Sequence, residues 1–77
     1  MQISRTSRQN MAVADSWDVW PLEPGPGFHL VVFRDGFSAV IHGAGNMAPV
    51  IFSTEEDAAA CMMANAPDVP RRNIPTL

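Results

Sequence analysis

Asp35-Gly36 stands between two apolar runs, FHLVVFR before it and FSAVIH after it. An Asp-Gly pair in that setting predicts a β-hairpin, because a two-residue type I′ turn needs positive φ at both central positions. A turn there makes Arg34 face Phe37. The pairing then runs outward through Phe33–Ser38, Val32–Ala39, Val31–Val40, Leu30–Ile41 and His29–His42. Side chains alternate across a sheet. One face therefore collects Phe28, Leu30, Val32, Phe37, Ala39 and Ile41 and reads as core. The other collects His29, Val31, Phe33, Ser38, Val40 and His42. It is apolar only in its middle, so partial cover is expected, from a terminal segment or from a partner.

This register sets His29 opposite His42, with Cβ atoms about 5 Å apart. Two imidazoles are fewer ligands than a zinc site uses, and no metal site is assigned. Partly exposed strand-end histidines are the ordinary reading. A metal- or pH-responsive binder is the sharper one, since His titrates near neutrality.

Around the hairpin the chain reads as follows. Residues 1–10 (MQISRTSRQN) form a polar, loosely ordered arm. MAVAD, residues 11–15, suits a short N-terminal helical turn capped by Ser7 or Asn10. WDVWPL, residues 17–22, suits an edge strand, because Pro21 has no N–H to give to a ladder. Trp17 and Val19 share one face of it, Asp18 and Trp20 the other. Both tryptophans read first as core or near-core, with a binding role the minority reading for Trp20. EPGPG, residues 23–27, is a loop that folds this strand back on the hairpin. HGAGN, residues 42–46, lacks the remainder of a dinucleotide fingerprint and reads as a turn. MAPVIFS, residues 47–53, reads as a further strand.

The clearest helix start follows. Ser53 or Thr54 can cap it, and Glu55, Glu56 and Asp57 complement its dipole. AAACMMANA continues the helix to Pro67. Ala58, Cys61, Met62 and Asn65 lie on one stripe, with Ala59, Met63 and Ala66 on the next. Core packing is the expected role of both methionines. The tail 67–77, with three prolines, is a second loosely ordered arm. It can pack Val69, Ile74 and Leu77 on the body, and its Arg71 and Arg72 can pair with the acids.

These segments describe a single α+β domain spanning residues 1–77. Its small antiparallel sheet of three to four strands, a meander with a tight Asp-Gly hairpin, packs against a C-terminal helix. A short N-terminal helix fits as well.

Charge is uneven. Four of the five arginines, Arg5, Arg8, Arg71 and Arg72, lie in the terminal segments, and there is no lysine. All eight acids lie between residues 15 and 68, where only Arg34 opposes them, so that span carries −7. Such a body repels phosphate backbones and attracts basic surfaces. Direct nucleic-acid binding is not expected. The candidate partner-binding acids are Asp15, Asp18, Glu23, Asp35, Glu55, Glu56 and Asp57, with Asp68 the eighth acid. No apolar run approaches the about 20 residues of a membrane span. The first ten residues lack the apolar stretch of a secretory signal. One cysteine fits a reducing, cytoplasmic compartment. Cys61 reads as a small buried hydrophobe, or as a dimer contact able to form an intermolecular disulfide. No nucleophile–base, P-loop, C-x-x-C or zinc-protease pattern occurs, so neither an enzyme nor a cofactor is expected.

The order β-β-β-helix over residues 17–66, the small size and the acidity resemble the small proteins of phages and other mobile elements, among them the anti-CRISPR proteins. The resemblance implies a non-enzymatic inhibitor in the cytoplasm of a bacterial host cell. Its acidic body would dock on a basic surface of a CRISPR effector complex and block target DNA binding. Some members act as DNA mimics through their charge. Eight acids and four terminal arginines depart from that pattern, and no site residue carries over by motif. A small homodimeric assembly module, built on a sheet edge or hairpin face, is the alternative expectation.

Overall fold

The computed structural model describes residues 2–45 and 47–72. In chain order they form α1 (Arg5–Ala12), β1 (Ser16–Pro21), β2 (Phe28–Arg34), β3 (Phe37–Val40) and α2 (Glu55–Asn65). The strands make one antiparallel sheet in the order β1-β2-β3. This is the expected small α+β fold, with a C-terminal helix and a short N-terminal one.

The hairpin turns where the sequence predicts. Asp35 and Gly36 have φ of 51° and 82°, both positive as a type I′ turn requires. The ladder Arg34–Phe37 to Val31–Val40 has the predicted register. It stops short of the histidine pair. Ile41 N–H still donates to Leu30 C=O, at 3.0 Å. Beyond it, Phe52 takes the place beside β2, exchanging two 2.9 Å hydrogen bonds with Phe28. His29 lies in register with Trp20, whereas His42 bridges Pro49. The predicted His29–His42 pairing is therefore corrected. Residues 47–53 form no strand either. They contribute two isolated bridges, His42–Pro49 and Phe28–Phe52.

The front face of the sheet carries the core. Trp17 and Val19 from β1 and Leu30 and Val32 from β2 meet Ile41, Phe52, Met11 of α1, and Ala58, Met62 and Ala66 of α2. Phe37, expected in that core, is 79 % exposed instead. It sits next to the turn, past the end of α1. On the back face Val31 is fully buried, while Trp20 is 44 % exposed. The near-core expectation holds for Trp17 and fails for Trp20, which leans on Phe33 with ring centroids 5.8 Å apart.

The first helix begins six residues earlier than the sequence suggests and takes in most of the polar arm. Ser4 caps it, its hydroxyl accepting from Ser7 N–H at 3.1 Å. Only Ser7 and Met11 are buried on it. One of those two is polar, so an apolar stripe never shows in the sequence. The Ser7 hydroxyl is used: it accepts from His42 N–H at 2.8 Å.

Thr54 caps α2, accepting from Asp57 N–H at 3.0 Å. The buried stripe is Ala58, Met62 and Ala66, spaced by four. Of the expected stripe partners, Cys61 is half-buried and Asn65 is exposed, while Met63 is 52 % exposed. Alanine at the ends of the stripe lets the helix lie close to the sheet. After the helix, residues 67–69 turn the chain and residues 70–72 run beside β1, with a parallel bridge between Trp17 and Arg71. Ile74 and Leu77, read as packing residues, lie outside the described residues.

Candidate functional site

The predicted acids differ in their partners, although Glu55, Glu56 and Asp57 share the first turn of α2. At the hairpin end, the Asp15 carboxylate accepts from Asp35 N–H at 3.0 Å, and Arg34 Nε lies 3.7 Å from the Asp35 carboxylate. This ties β1's approach to the turn and leaves two acids and one cation at the tip.

A second group surrounds Arg71. Its Nε donates to Asp18 Oδ1 at 3.2 Å, and its Nη2 donates to Glu55 Oε1. Its guanidinium also lies 5.3 Å from the Trp17 ring centroid. The hydrogen bond to Glu55, more than any other influence, pushes the Arg71 pKa upward. The same Asp18 oxygen accepts from Val19 N–H at 2.8 Å. Asp18 and Glu55 are thus engaged by Arg71, which joins β1, α2 and the C-terminal segment. The pairing of Arg71 with acids was legible in the charge layout. Which acids it takes was not, because that depends on residues 70–72 docking along β1.

The third group, Glu56 and Asp57, occupies the exposed first turn of α2. Glu23 is exposed in the 23–27 loop. None of these three forms an ion pair with a described residue.

Cys61 lies in an open groove of about 670 Å³ between the helices. Gln2, Ile3 and Arg8 form one wall, and Asp57, Ala60, Cys61, Ala64 and Asn65 the other. Asn65 Nδ2 donates to Cys61 C=O at 2.8 Å. Burial pushes the thiol pKa up, so it stays protonated at neutral pH and is a weak nucleophile. Among the described residues no group of three or more His, Cys, Asp and Glu comes together to hold a metal ion. Nor is any described helix long and apolar enough to cross a membrane.

The sequence reads residues 17–22 as an edge strand, and β1 is one; what lies along each edge was not legible. At β1, Trp17 N–H donates to Pro70 C=O at 3.2 Å, and Trp17 C=O accepts from Arg72 N–H at 2.6 Å. The Trp17 indole N–H donates to Val69 C=O at 3.0 Å. The C-terminal segment closes this edge. At β3 no described segment lies alongside Ser38 and Val40.

Comparison with protein-family models, with curated proteins and with solved structures finds no match to this chain.

Proposed function

We propose that the chain is a non-enzymatic protein-binding inhibitor. Its exposed acids dock on a basic, nucleic-acid-binding surface of a partner complex and keep the nucleic acid out. A CRISPR effector complex is the partner its layout suggests. The observation that carries the reading is the set Glu23, Glu56 and Asp57, exposed and without an ion-pair partner among the described residues. Uncompensated carboxylates draw a basic surface over about one Debye length and set association rate and selectivity more than raw affinity. Asp18 and Glu55 are held by Arg71, which narrows the docking surface to the α2 first turn, the 23–27 loop and the hairpin tip.

The test is a competition experiment with purified CRISPR effector complexes and labelled target DNA. The wild-type chain is expected to suppress DNA binding, and the effect should weaken as salt is raised. Glu56→Lys combined with Asp57→Lys should weaken the suppression by about tenfold or more if both acids face a desolvated basic surface. The reading falls if the chain itself shifts DNA, or if the double variant suppresses as well as wild type.

A further inference from the structure

We infer that the open edge of β3 is a self-association surface, on which a second copy of this chain adds its own β3 antiparallel about a two-fold axis. The inference does not rest on the inhibitor reading, although both use the hairpin tip.

The geometry follows from the ladder. Ile41 N–H points to β2, and alternation makes Phe37 and Ala39 do the same. The backbone groups of Ser38 and Val40 then point away from the sheet, and no described residue bonds them. Natural edges are blunted by lysine, proline, bulges or a covering segment. From Phe37 to Val40 the strand FSAV has none of these. Exposed apolar groups lie on it and beside it, Phe37 at 79 % and Val13 at 48 % exposure, with Asn10 and Arg34 next to them. With Ala39 they line a notch of about 140 Å³.

Charge selects the occupant. The N-terminal end of this edge is the turn, where the Asp35 side chain is 80 % exposed and Asp15 is tied to it; Arg34 offsets part of that charge. The C-terminal end meets the start of α1, where Ser4 N–H donates to His42 C=O at 3.0 Å. The first turn of α1 holds no acid and carries Arg5 and Arg8. It therefore presents a positive helix end that its own sequence leaves uncompensated. Antiparallel pairing about a two-fold axis brings each acidic turn against the partner's helix start. A second copy meets both requirements at once, because an isologous interface repeats the same patch in reverse.

The register is also constrained. His42 already spends its outward N–H on Ser7 and its C=O on Ser4. Pairing centred on Ala39 would set the partner's Gly36 against that occupied position. Pairing centred on Ser38 sets it against Val40, which is open. Ser38 therefore faces the partner's Ser38, and Phe37 lies across from the partner's Ala39.

Sedimentation of the full chain under reducing conditions, from micromolar to millimolar concentration, tests this. A reversible monomer–dimer equilibrium that weakens with salt is expected. Ser38→Pro removes an outward N–H and leaves the β2 ladder intact, so the dimer dissociation constant should rise about tenfold or more. Phe37→Ser, at an exposed position, should raise it while far-UV circular dichroism is unchanged. Asp35→Asn keeps a residue that tolerates positive φ and should raise it about threefold at low salt. A strict monomer over the whole range overturns the inference. So does a dimer that reducing agent abolishes, one that survives both Ser38→Pro and Phe37→Ser, or a monomer that captures unrelated extended peptides at this edge.

Discussion

Along β1 the outward N–H groups are all accounted for, whereas along β3 those of Ser38 and Val40 have no partner among the described residues. At β1, Trp17 donates to Pro70, Val19 donates to the Asp18 carboxylate, and Pro21 has no N–H. Three different devices thus blunt one edge over five residues. Among the described residues the other edge has none, although it belongs to the same sheet and lies two strands away. A sheet of three strands has only two edges to manage. Closing one with the chain's own C-terminal segment leaves the β3 edge for the proposed association. Strand composition supplies two of the devices, Asp18 and Pro21, and the contacts of Trp17 supply the third, anchoring the closing segment through its backbone, its indole N–H and its ring.

The strongest way to break this contrast is Trp17→Ala. The side chain is buried in the core at 4 % exposure and donates its N–H to Val69 C=O. Removing it should cost about 3–5 kcal/mol, most of the stability expected for a chain of this size. Urea unfolding would then start from a partly unfolded baseline. Trp17→Phe keeps an aromatic ring for Arg71 to stack on but loses part of the buried volume and the hydrogen bond, and should lose about 1–3 kcal/mol. If both variants unfold like wild type, the C-terminal segment is not anchored at Trp17 and β1 is as open as β3.

The hairpin half of this contrast was readable from local chemistry. Asp35-Gly36 dictates turn type, and turn type dictates register as far as Val31–Val40. The α2 cap was readable for the same reason, since Thr54 and Asp57 interact across three residues. What escaped depended on contacts distant in sequence. His42 was placed opposite His29 by extrapolating a ladder that Phe52 interrupts from outside the hairpin. The start of α1 was missed because its inward face is Ser7 and Met11, and Ser7 is justified only by His42. Phe37 obeys the alternation of the front face but lies past the end of the covering helix. Alternation says which way a side chain points; it does not say whether anything lies there. The candidate acids were visible as residues, yet their division into Arg71-bound and unpaired sets was not, since Arg71 lies 53 residues from Asp18.

A smaller perturbation sharpens the contrast without destroying the core. Arg71→Ala removes the link between Asp18 and Glu55 and the cation over Trp17. The arginine side chain is 42 % exposed and Glu55 is 51 % exposed, so solvent screens the pairing. A loss of about 0.5–1 kcal/mol is expected, with a further few tenths from the ring contact. Because the two ion pairs are screened by salt, the difference between wild type and variant should shrink in concentrated salt. Amide hydrogen exchange at Trp17 and Arg72, both in the closing pairing, should accelerate in the variant while exchange in the β2–β3 ladder holds steady. Acceleration in both places would mean that the edges are not independent.

The smallest effect on stability is expected at the open edge itself. Phe37 contributes little to the folded monomer, because most of its side chain is already in water. Phe37→Ser should therefore change unfolding free energy by no more than about 0.5 kcal/mol at low protein concentration. At high concentration the comparison should separate, since association stabilises only the chain that can associate. Wild type should then gain in apparent melting temperature as concentration rises, and Phe37→Ser should gain less. Equal gains would show that Phe37 is merely an exposed aromatic beside a turn. A large loss at low concentration would show instead that Phe37 supports the hairpin, so that its exposure serves the fold rather than the edge.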